Sequence, residues 1–304
     1  MPIRILCALF LLVVPAFGLA SEKVAAMVNG ESIPAADVDA AVAQIPAAET
    51  PLSDAQKRLQ RYDVLQQLID DRLVRQYLRQ SGPKVDAAEV ERQFSALESG
   101  LKSRGKTVEG YLKDAGVTVA QAKENFQRML QLTKYVEAQA TDATLRSYFE
   151  ANRDFFDKTT VRCSQIVLRV PEGTPPAERQ KTLSKLQAIR ADLAAKRTDF
   201  ASAAKANSQC PSAPKGGDVG FIVRKFQADE PFARAAFALP IGGVSDVVET
   251  DIGYHLIWVT DRKPGTPAKY ADVAVDVREC FEAELKQVLV NDLRKKAKIE
   301  IKKD

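Results

Sequence analysis

The stretch VRCSQIVLRV at residues 161–170 divides the chain into two parts of different character. It predicts a β-strand because it is rich in β-branched residues and places Ile166, Leu168 and Val170 on one face. The segments after it predict helices over 177–196, 199–207 and 232–239 and strands over 244–248 and 255–260. We predict a β-α-α-β-α-β-β order for this part of the chain, typical of a small mixed α/β domain of about a hundred residues.

Upstream of this domain, residues 35–156 carry apolar side chains at helical spacing and predict a series of helices. Such apolar stripes usually form a core, and this stretch contains no metal-binding spacing and no catalytic triad. Each predicted helix after the first begins at a residue type that favours the N-cap. These expected caps are Ser53, Asp86, Thr107, Thr118 and Thr141, the last opening a helix that continues to Phe156.

Short strand patterns lie near both ends of the part of the chain that follows residue 20. Residues 24–33 read VAAMVNGESI, in which Asn29-Gly30 favours a hairpin turn, and KIEI at 298–301 alternates like a strand after a helix over 271–296. An isolated two-stranded piece is marginal without further packing. We therefore expect the C-terminal segment to return to the N-terminal helical region.

The first twenty residues have the pattern of a secretory signal peptide. Arg4 supplies the positive charge, residues 5–14 are apolar, and small residues stand at Gly18 and Ala20. A buried N-terminal helix is the alternative interpretation. No later stretch reaches roughly 18 apolar residues, so the sequence predicts an exported, soluble protein without stable membrane insertion.

Composition excludes several classes of function. The 44 basic and 40 acidic residues give a net charge of +4. This nearly balanced charge does not indicate a protein that binds nucleic acid. Beyond the leader, Cys163, Cys210 and Cys280 are too few for a disulfide scaffold, and at least one thiol must stay free or pair between molecules. One histidine and dispersed cysteines give no zinc spacing. We expect no metal and no cofactor.

Cys210 and His255 are the residues of the α/β domain with the most evident chemistry. Cys210 precedes the turn KGGDVG at 215–220, whose paired glycines allow a tight turn, and His255 enters the last strand. On chemistry alone, the histidine reads first as a hydrogen-bonded core residue and the cysteine as a small buried one. A Cys/His protease is conceivable, but no local sequence signature supports it.

Several segments taken together resemble the parvulin family of peptidyl-prolyl cis/trans isomerases, in the family's order, over about 160–264. They are RCSQIVL (162–168), SQCPSA (208–213), GGDVGF (216–221), PFARAAFAL (231–239) and TDIGYHLI (250–257). VNGE at 28–31, the helices after it and AKIEI at 297–301 are similar to the SurA/PpiC chaperone arrangement. The resemblance implies an α+β fold: a helical SurA-like chaperone domain completed by the C-terminal helix and strand, plus a small parvulin domain. The expected division is a signal peptide (1–20), the chaperone domain (21–157), the isomerase domain (158–264) and the C-terminal helix and strand (265–304).

The resemblance also assigns roles within the site. It implies a polar floor formed by Cys210, His255 and Gln165 with support from Ser164 and Thr250. It implies a proline-binding wall formed by Val219, Phe226 and Phe232. Lys225 and Arg224 read as a solvated loop pair rather than as a cluster that attracts acidic neighbours of proline.

One position departs from the family pattern, because most parvulins place histidine where this chain has Gln165. Glutamine donates and accepts hydrogen bonds but cannot titrate, so turnover is expected to be low. Isomerisation breaks no covalent bond, and Cys210 is therefore not expected to act as a nucleophile.

Three functions remain open at this point. The first is an exported, periplasmic isomerase that also holds unfolded, proline-containing polypeptides, and Cys210 and His255 favour it. The second is a chaperone whose parvulin domain only binds peptides, which Gln165 favours. The third is a thiol redox protein using Cys163 and Cys210, although no Cys-Xaa-Xaa-Cys occurs.

Overall fold

The computed structural model describes residues 23–46, 51–171 and 173–302. The predicted signal peptide and part of the predicted loop over 46–53 lie outside these residues. Two compact units make up the chain: the first joins Met1–Thr144 to Arg278–Asp304, and the second comprises Leu145–Val277. The second unit thus takes in residues on both sides of the predicted isomerase domain.

The elements follow one another in a mixed order of helices and short strands. The strands are β1 (Val24–Val28), β2 (Glu31–Pro34), β3 (Thr160–Arg169), β4 (Asp218–Val223), β5 (Val248–Thr250), β6 (Gly253–Lys263) and β7 (Ile299–Ile301). The helices are α1 (Ala35–Ala43), α2 (Asp54–Ser81), α3 (Ala87–Lys102), α4 (Val108–Asp114), α5 (Val119–Gln139), α6 (Asp142–Ala151), α7 (Arg153–Phe156), α8 (Pro176–Ala194), α9 (Phe200–Asn207), α10 (Glu230–Ala238) and α11 (Tyr270–Lys296), with a 3-10 turn at Ala213–Lys215. None of the helices in the described part of the chain is both long enough and apolar enough to cross a membrane.

A three-stranded antiparallel sheet in the first unit has the order β2-β1-β7. Asn29 and Gly30 form the turn between β1 and β2 with φ angles of 52° and 87°, which favour these two residue types. Met27 pairs with Glu300, so the predicted pairing of the first and last strands is confirmed. Pairing with β7 gives the hairpin the third strand that an isolated ribbon lacks.

The helices of the first unit begin where the sequence predicts. Ser53 and Thr118 each form a capping box with a glutamine three residues later, and Asp86 and Thr107 accept hydrogen bonds from the first turns of their helices. Buried side chains of β1, β2, α1 and α2, among them Ile33 and Ile69, form the core beside the sheet. A smaller apolar cluster lies among α3, α4 and α5.

The predicted helix from Thr141 to Phe156 is wrong in one respect, because it is broken at Asn152. Thr141 caps its first turn by accepting from the Thr144 N–H at 3.2 Å, as expected. Asn152 leaves the helical conformation, with φ −122° and ψ 28°, and its side chain donates to the Tyr148 carbonyl at 2.7 Å. A local side-chain bond of this kind competes with helix continuation.

The second unit contains a four-stranded antiparallel sheet in the order β4-β3-β6-β5. Its two faces carry separate apolar clusters. Leu186 and Phe200 pack from α8 and α9 on one face, and Phe232 and Phe237 pack from α10 on the other. The residues of β3 and β6 therefore lie either on the α8–α9 face or on the α10 face of the sheet. Only side chains on the same face can meet in one site.

The predicted strand over 244–248 is wrong. Val244 makes only an isolated bridge to Trp258, and β5 begins at Val248. The reason is Ser245: its N–H donates to the Ile257 carbonyl at 2.8 Å, but its hydroxyl, rather than a backbone carbonyl, accepts from the Ile257 N–H at 3.0 Å. The side chain thus interrupts the ladder that the apolar pattern predicted.

Candidate active site

A continuous hydrogen-bond chain runs along the α10 face of the sheet. His255 on β6 is buried, with 4 % of its surface exposed. Its Nδ1 lies 3.0 Å from Gln165 Oε1 and its Nε2 lies 2.8 Å from Thr250 Oγ1. The Gln165 Nε2 group donates in turn to Cys210 Sγ at 3.2 Å. Four of the predicted site residues are therefore linked in one network.

The geometry fixes the direction of these bonds. An amide oxygen can only accept, so Nδ1 of His255 carries the proton and donates to Gln165. Nε2 is then the acceptor for the Thr250 hydroxyl, whose oxygen receives the Ile252 N–H at 3.2 Å. The imidazole is neutral with both nitrogens satisfied.

The electrostatic surroundings favour this neutral form. Burial lowers the pKa of His255 to about 4, and the carboxylate of Asp229 acts in the opposite direction. At neutral pH the network therefore contains no ionised imidazole. It presents fixed dipoles in a poorly solvated position.

Backbone pairing holds Cys210 against Gln165. The segment after α9 runs beside β3, where Gln209 N–H donates to the Val167 carbonyl at 2.9 Å and the Ser208 hydroxyl accepts from Val167 N–H at 3.1 Å. Ser212 donates its hydroxyl to Cys210 Sγ at 3.1 Å. Sequence reasoning missed Ser212, although it stands two residues after the cysteine in the SQCPSA segment.

Gly217 allows the next turn to approach the same residues. Its carbonyl accepts from the Gln165 N–H at 2.9 Å, and its φ angle is 83°. A Cβ added there would lie 2.4 Å from the Gln165 carbonyl oxygen and 3.2 Å from Ala204 Cβ. Only glycine fits this position without a shift of the strand that carries Gln165.

An apolar wall borders the imidazole. The Phe232 ring meets the His255 ring edge to face, with centroids 5.7 Å apart. Val219 on β4 packs against the same cluster as Phe232. The structure therefore brings two of the three predicted wall residues together beside the polar chain.

Phe226 is not brought to this wall. It has a left-handed φ of 67°, is 57 % exposed, and packs edge to face on Phe155 with centroids 5.6 Å apart. No ring pairing links it to Phe232 or His255 among the described residues. The sequence offered no signal for the partner, since Phe155 lies far upstream in α7.

Ser164 lies away from the polar chain as well. Gln165 pairs with Ile257, which belongs to the α10 face, whereas Ser164 pairs with Trp258, which packs on the α8–α9 face. Neighbouring strand residues point to opposite faces. The structure thus separates the Ser164 side chain from the network that it was expected to support.

The interpretation of Arg224 and Lys225 as a solvated pair is wrong. Arg224 forms a bidentate ion pair with Glu230, at 2.8 and 2.7 Å. Lys225 is only 5 % exposed, and its ammonium group lies 5.3 Å from the centre of the Tyr148 ring. Both cations are engaged by neighbouring side chains within the unit.

The cysteines do not support redox chemistry. Cys163, Cys210 and Cys280 are all free thiols in the described part of the chain. Burial raises the pKa of Cys163 to about 12, and Asp218 acts in the same direction. The thiolate is the reactive form, so Cys163 is poorly suited to exchange with Cys210.

Comparison with known proteins finds matches to both parts of the chain. A family model for the SurA-like N-terminal domain matches residues 3–136, and one for the PPIC-type PPIASE domain, the rotamase domain, matches residues 166–261. The foldase protein PrsA of Bacillus subtilis is 30% identical over 248 residues, covering 79% of this chain and 74% of that protein. The chaperone SurA of Aromatoleum aromaticum is 29% identical over 261 residues, covering 81% of this chain and 58% of that protein.

A solved structure of PrsA from Bacillus anthracis, described as a peptidylprolyl isomerase, is 22% identical and covers 76% of this chain and 96% of that one, with a TM-score of 0.43. The chain belongs to the SurA/PrsA family of folding chaperones and peptidyl-prolyl isomerases. It spans little more than half the length of the SurA relative that it matches.

Proposed function

We propose that this protein is an exported peptidyl-prolyl cis/trans isomerase that also holds unfolded polypeptides. The observation that carries the proposal is the hydrogen-bond chain from Thr250 through neutral His255 and Gln165 to Cys210, bordered by the Phe232 and Val219 wall. This chain lies within the part of the sequence that matches rotamase domains, apart from its Gln165 member at the edge of that match.

The arrangement suits the physical demands of the reaction. Rotation about an Xaa–Pro bond crosses a barrier of roughly 18–20 kcal/mol and takes tens to hundreds of seconds without a catalyst. A catalyst must bind the twisted amide better than either planar form. Twisting removes resonance, so the carbonyl becomes more ketone-like and the prolyl nitrogen more basic. Fixed dipoles in a poorly solvated site stabilise that change.

Each part of the site has a role in this scheme. The Phe232 and Val219 wall holds the proline ring. Cys210 Sγ already accepts from Gln165 and Ser212, at 3.2 and 3.1 Å, so its own S–H is directed elsewhere and is available to the twisted amide. Cys210 acts as a dipole and not as a nucleophile, because no bond is broken.

Gln165 keeps the hydrogen-bond network of the site continuous but lowers its turnover. It bridges His255 and Cys210 with its carbonyl and its amino group, so the chain of polarised bonds is continuous without a second histidine. It cannot change its charge, and turnover is therefore low. The same residue supports the second candidate function, a chaperone whose isomerase domain only binds proline-containing segments. The position of Phe226 away from Phe232 also favours that candidate, because the proline-binding wall then lacks one of its two expected phenylalanine rings.

A protease-coupled assay on a neutral proline tetrapeptide tests the proposal. The wild type should accelerate cis-to-trans conversion in proportion to its concentration, and Phe232→Ala should accelerate it less at the same substrate concentration because it binds the proline ring more weakly. Gln165→His places the histidine usual in the family at this position, and it should raise the rate if the glutamine limits turnover. If both the wild type and Gln165→His gave the uncatalysed rate, the isomerase function would be refuted and the chaperone function would be the remaining candidate.

Covalent chemistry at the cysteine is tested separately. Cys210→Ala should retain substantial activity, within about tenfold of wild type, because it removes one weak dipole. Recovery of a covalent peptide adduct at Cys210 by mass spectrometry would overturn the non-covalent mechanism.

The location and domain organisation are part of the same proposal. Residues 1–20 direct export, and the mature protein acts in the periplasm on unfolded secreted or outer-membrane polypeptides. Residues 21–157 form the chaperone domain, 158–264 the isomerase domain, and 265–304 complete the chaperone domain. N-terminal sequencing of the protein recovered from the periplasm should begin at Ser21, whereas a protein recovered with an intact Met1 would contradict export by cleavage.

A further inference from the structure

A cleft of about 340 Å³ in the first unit is lined by an unusual number of arginines. It lies between α2 and α5, with the start of β2 at one side. Four guanidinium groups face it: Arg72, Arg75, Arg79 and Arg128. No role in the isomerase proposal uses these residues.

The sequence places these cations together through helical spacing. Arg72, Arg75 and Arg79 follow one another at three- and four-residue intervals, so they share one face of α2. Arg128 faces them from α5. Gln131, one turn further along α5, donates to the Leu78 carbonyl at 3.2 Å and fixes the two helices beside each other.

The carboxylates at the cleft do not balance these charges. Asp71 is shared between Arg75, at 2.5 Å, and Arg128, at 3.7 Å. Glu31 is shared in the same way between Arg72, at 3.6 Å, and Arg79. Each carboxylate therefore serves two cations. Glu31 and Glu124 also line the cleft, and Asp71 pairs with two of the arginines. Four arginines therefore stand beside three carboxylates, and one positive charge remains.

Arg128 is the least exposed of the four arginines. Only 14% of its side chain is exposed, and its Nε is buried without a hydrogen-bond partner among the described residues. Burial lowers its pKa, and the nearby charge of Arg75 lowers it further. Arginine nevertheless stays protonated in proteins. A buried, incompletely paired guanidinium beside other guanidinium groups is stabilised by an additional oxyanion.

We propose that this cleft binds a carboxylate of the client polypeptide, so that the first unit recognises acidic segments independently of proline. The inference rests on the proposed chaperone function. Guanidinium groups bind carboxylates through paired N–H donors. The single excess charge matches a carboxylate better than a doubly charged phosphate, because Glu31 and Glu124 would repel the second negative charge.

Binding of short proline-free peptides to the full-length protein tests the inference. The probes are one acetylated sequence in four forms, with glutamate or glutamine at the centre and with an amidated or a free C-terminus. Calorimetry should show binding of the peptides that carry a glutamate or a free C-terminal carboxylate, and little binding of the neutral peptide. The pair with one carboxylate each shows whether a side chain or a chain end is preferred.

Variants inside and outside the cleft provide matched controls, with Arg58, Arg75 and Arg79 on α2 and Arg128 on α5. Arg75→Gln and Arg128→Gln should weaken the charged peptide about tenfold or more, as expected for lost charge-assisted bonds. Arg58→Gln, at an exposed position of α2 outside the cleft, should change affinity less than twofold. Arg79→Gln, whose side chain is 59% exposed, tests the cleft without disturbing buried packing. Circular dichroism checks that each variant is folded.

Three outcomes would overturn the inference: equal binding of charged and neutral peptides, an Arg58→Gln loss as large as that of Arg79→Gln, or tighter binding of inorganic phosphate than of any peptide. All four variants should retain wild-type isomerase rates on the neutral tetrapeptide. Absence of isomerisation with intact carboxylate binding would refute the enzyme proposal alone, and the reverse pattern would refute the cleft alone.

Discussion

Protonation of His255 gives the most specific test of the site's electrostatics. The imidazole is buried, and both of its nitrogens are hydrogen-bonded in the neutral form. Burial lowers its pKa to about 4, whereas histidine in an unfolded chain titrates near 6.5. Lowering the pH should therefore leave the folded imidazole neutral long after an exposed one would have charged.

The sign of the effect on stability follows from proton linkage. Between about pH 6.5 and 4 the unfolded chain binds a proton at His255 that the folded chain does not. Stability from this residue is complete above pH 6.5 and falls as the pH drops towards 4. At about 1.4 kcal/mol for each pH unit, the gap between 6.5 and about 4 amounts to about 3 kcal/mol.

The sequence makes the measurement direct, because His255 is the only histidine. Its Cε1 proton in a tag-free chain can be followed by NMR across a pH titration, and the midpoint should lie near 4. Asp229→Asn should lower the midpoint further, since that carboxylate raises the pKa. In urea unfolding, wild type should lose more stability between pH 7 and 4.5 than His255→Asn does. A midpoint at 6.5 or above would refute the buried, neutral assignment.

Three substitutions examine the remaining parts of the site. Gln165→His should raise kcat/KM in the tetrapeptide assay by restoring the histidine usual in the family, and an unchanged or lower value would show that the glutamine is not limiting. Phe232→Ala should raise KM and destabilise the protein by about 3 kcal/mol, as for other buried aromatic truncations, in urea unfolding; wild-type KM would contradict its place in the wall. Gly217→Ala should lower both stability and activity because its Cβ would lie 2.4 Å from the Gln165 carbonyl oxygen, and wild-type values for both would refute the close approach.

Local signals in the sequence predicted most of the elements correctly. The capping residues Ser53 and Thr118 mark real helix starts, and the Asn29-Gly30 pair marks a real hairpin. These features depend on residues within one helical turn or one hairpin. Information of that range is present in any short window of sequence.

The errors share a different cause, since each depends on a side chain that acts on the backbone or packs at long range. Ser245 replaces a backbone acceptor in the ladder, and Asn152 binds the carbonyl four residues before it. Ser164 lies on the opposite face from Gln165 although the two are adjacent in the family motif. Phe226 meets Phe155 across a long separation in sequence. The Ser245–Ile257 and Phe226–Phe155 pairings join separate segments of the chain, which a linear motif does not encode.

Cis/trans exchange of a neutral proline tetrapeptide, measured by two-dimensional exchange NMR at equilibrium, shows whether this site catalyses isomerisation. Exchange should increase linearly with added wild-type protein, remain constant from pH 6 to 8 because His255 stays neutral, and disappear in His255→Ala. Exchange at the uncatalysed rate at every protein concentration would show that the network of Thr250, His255, Gln165 and Cys210 is not catalytic.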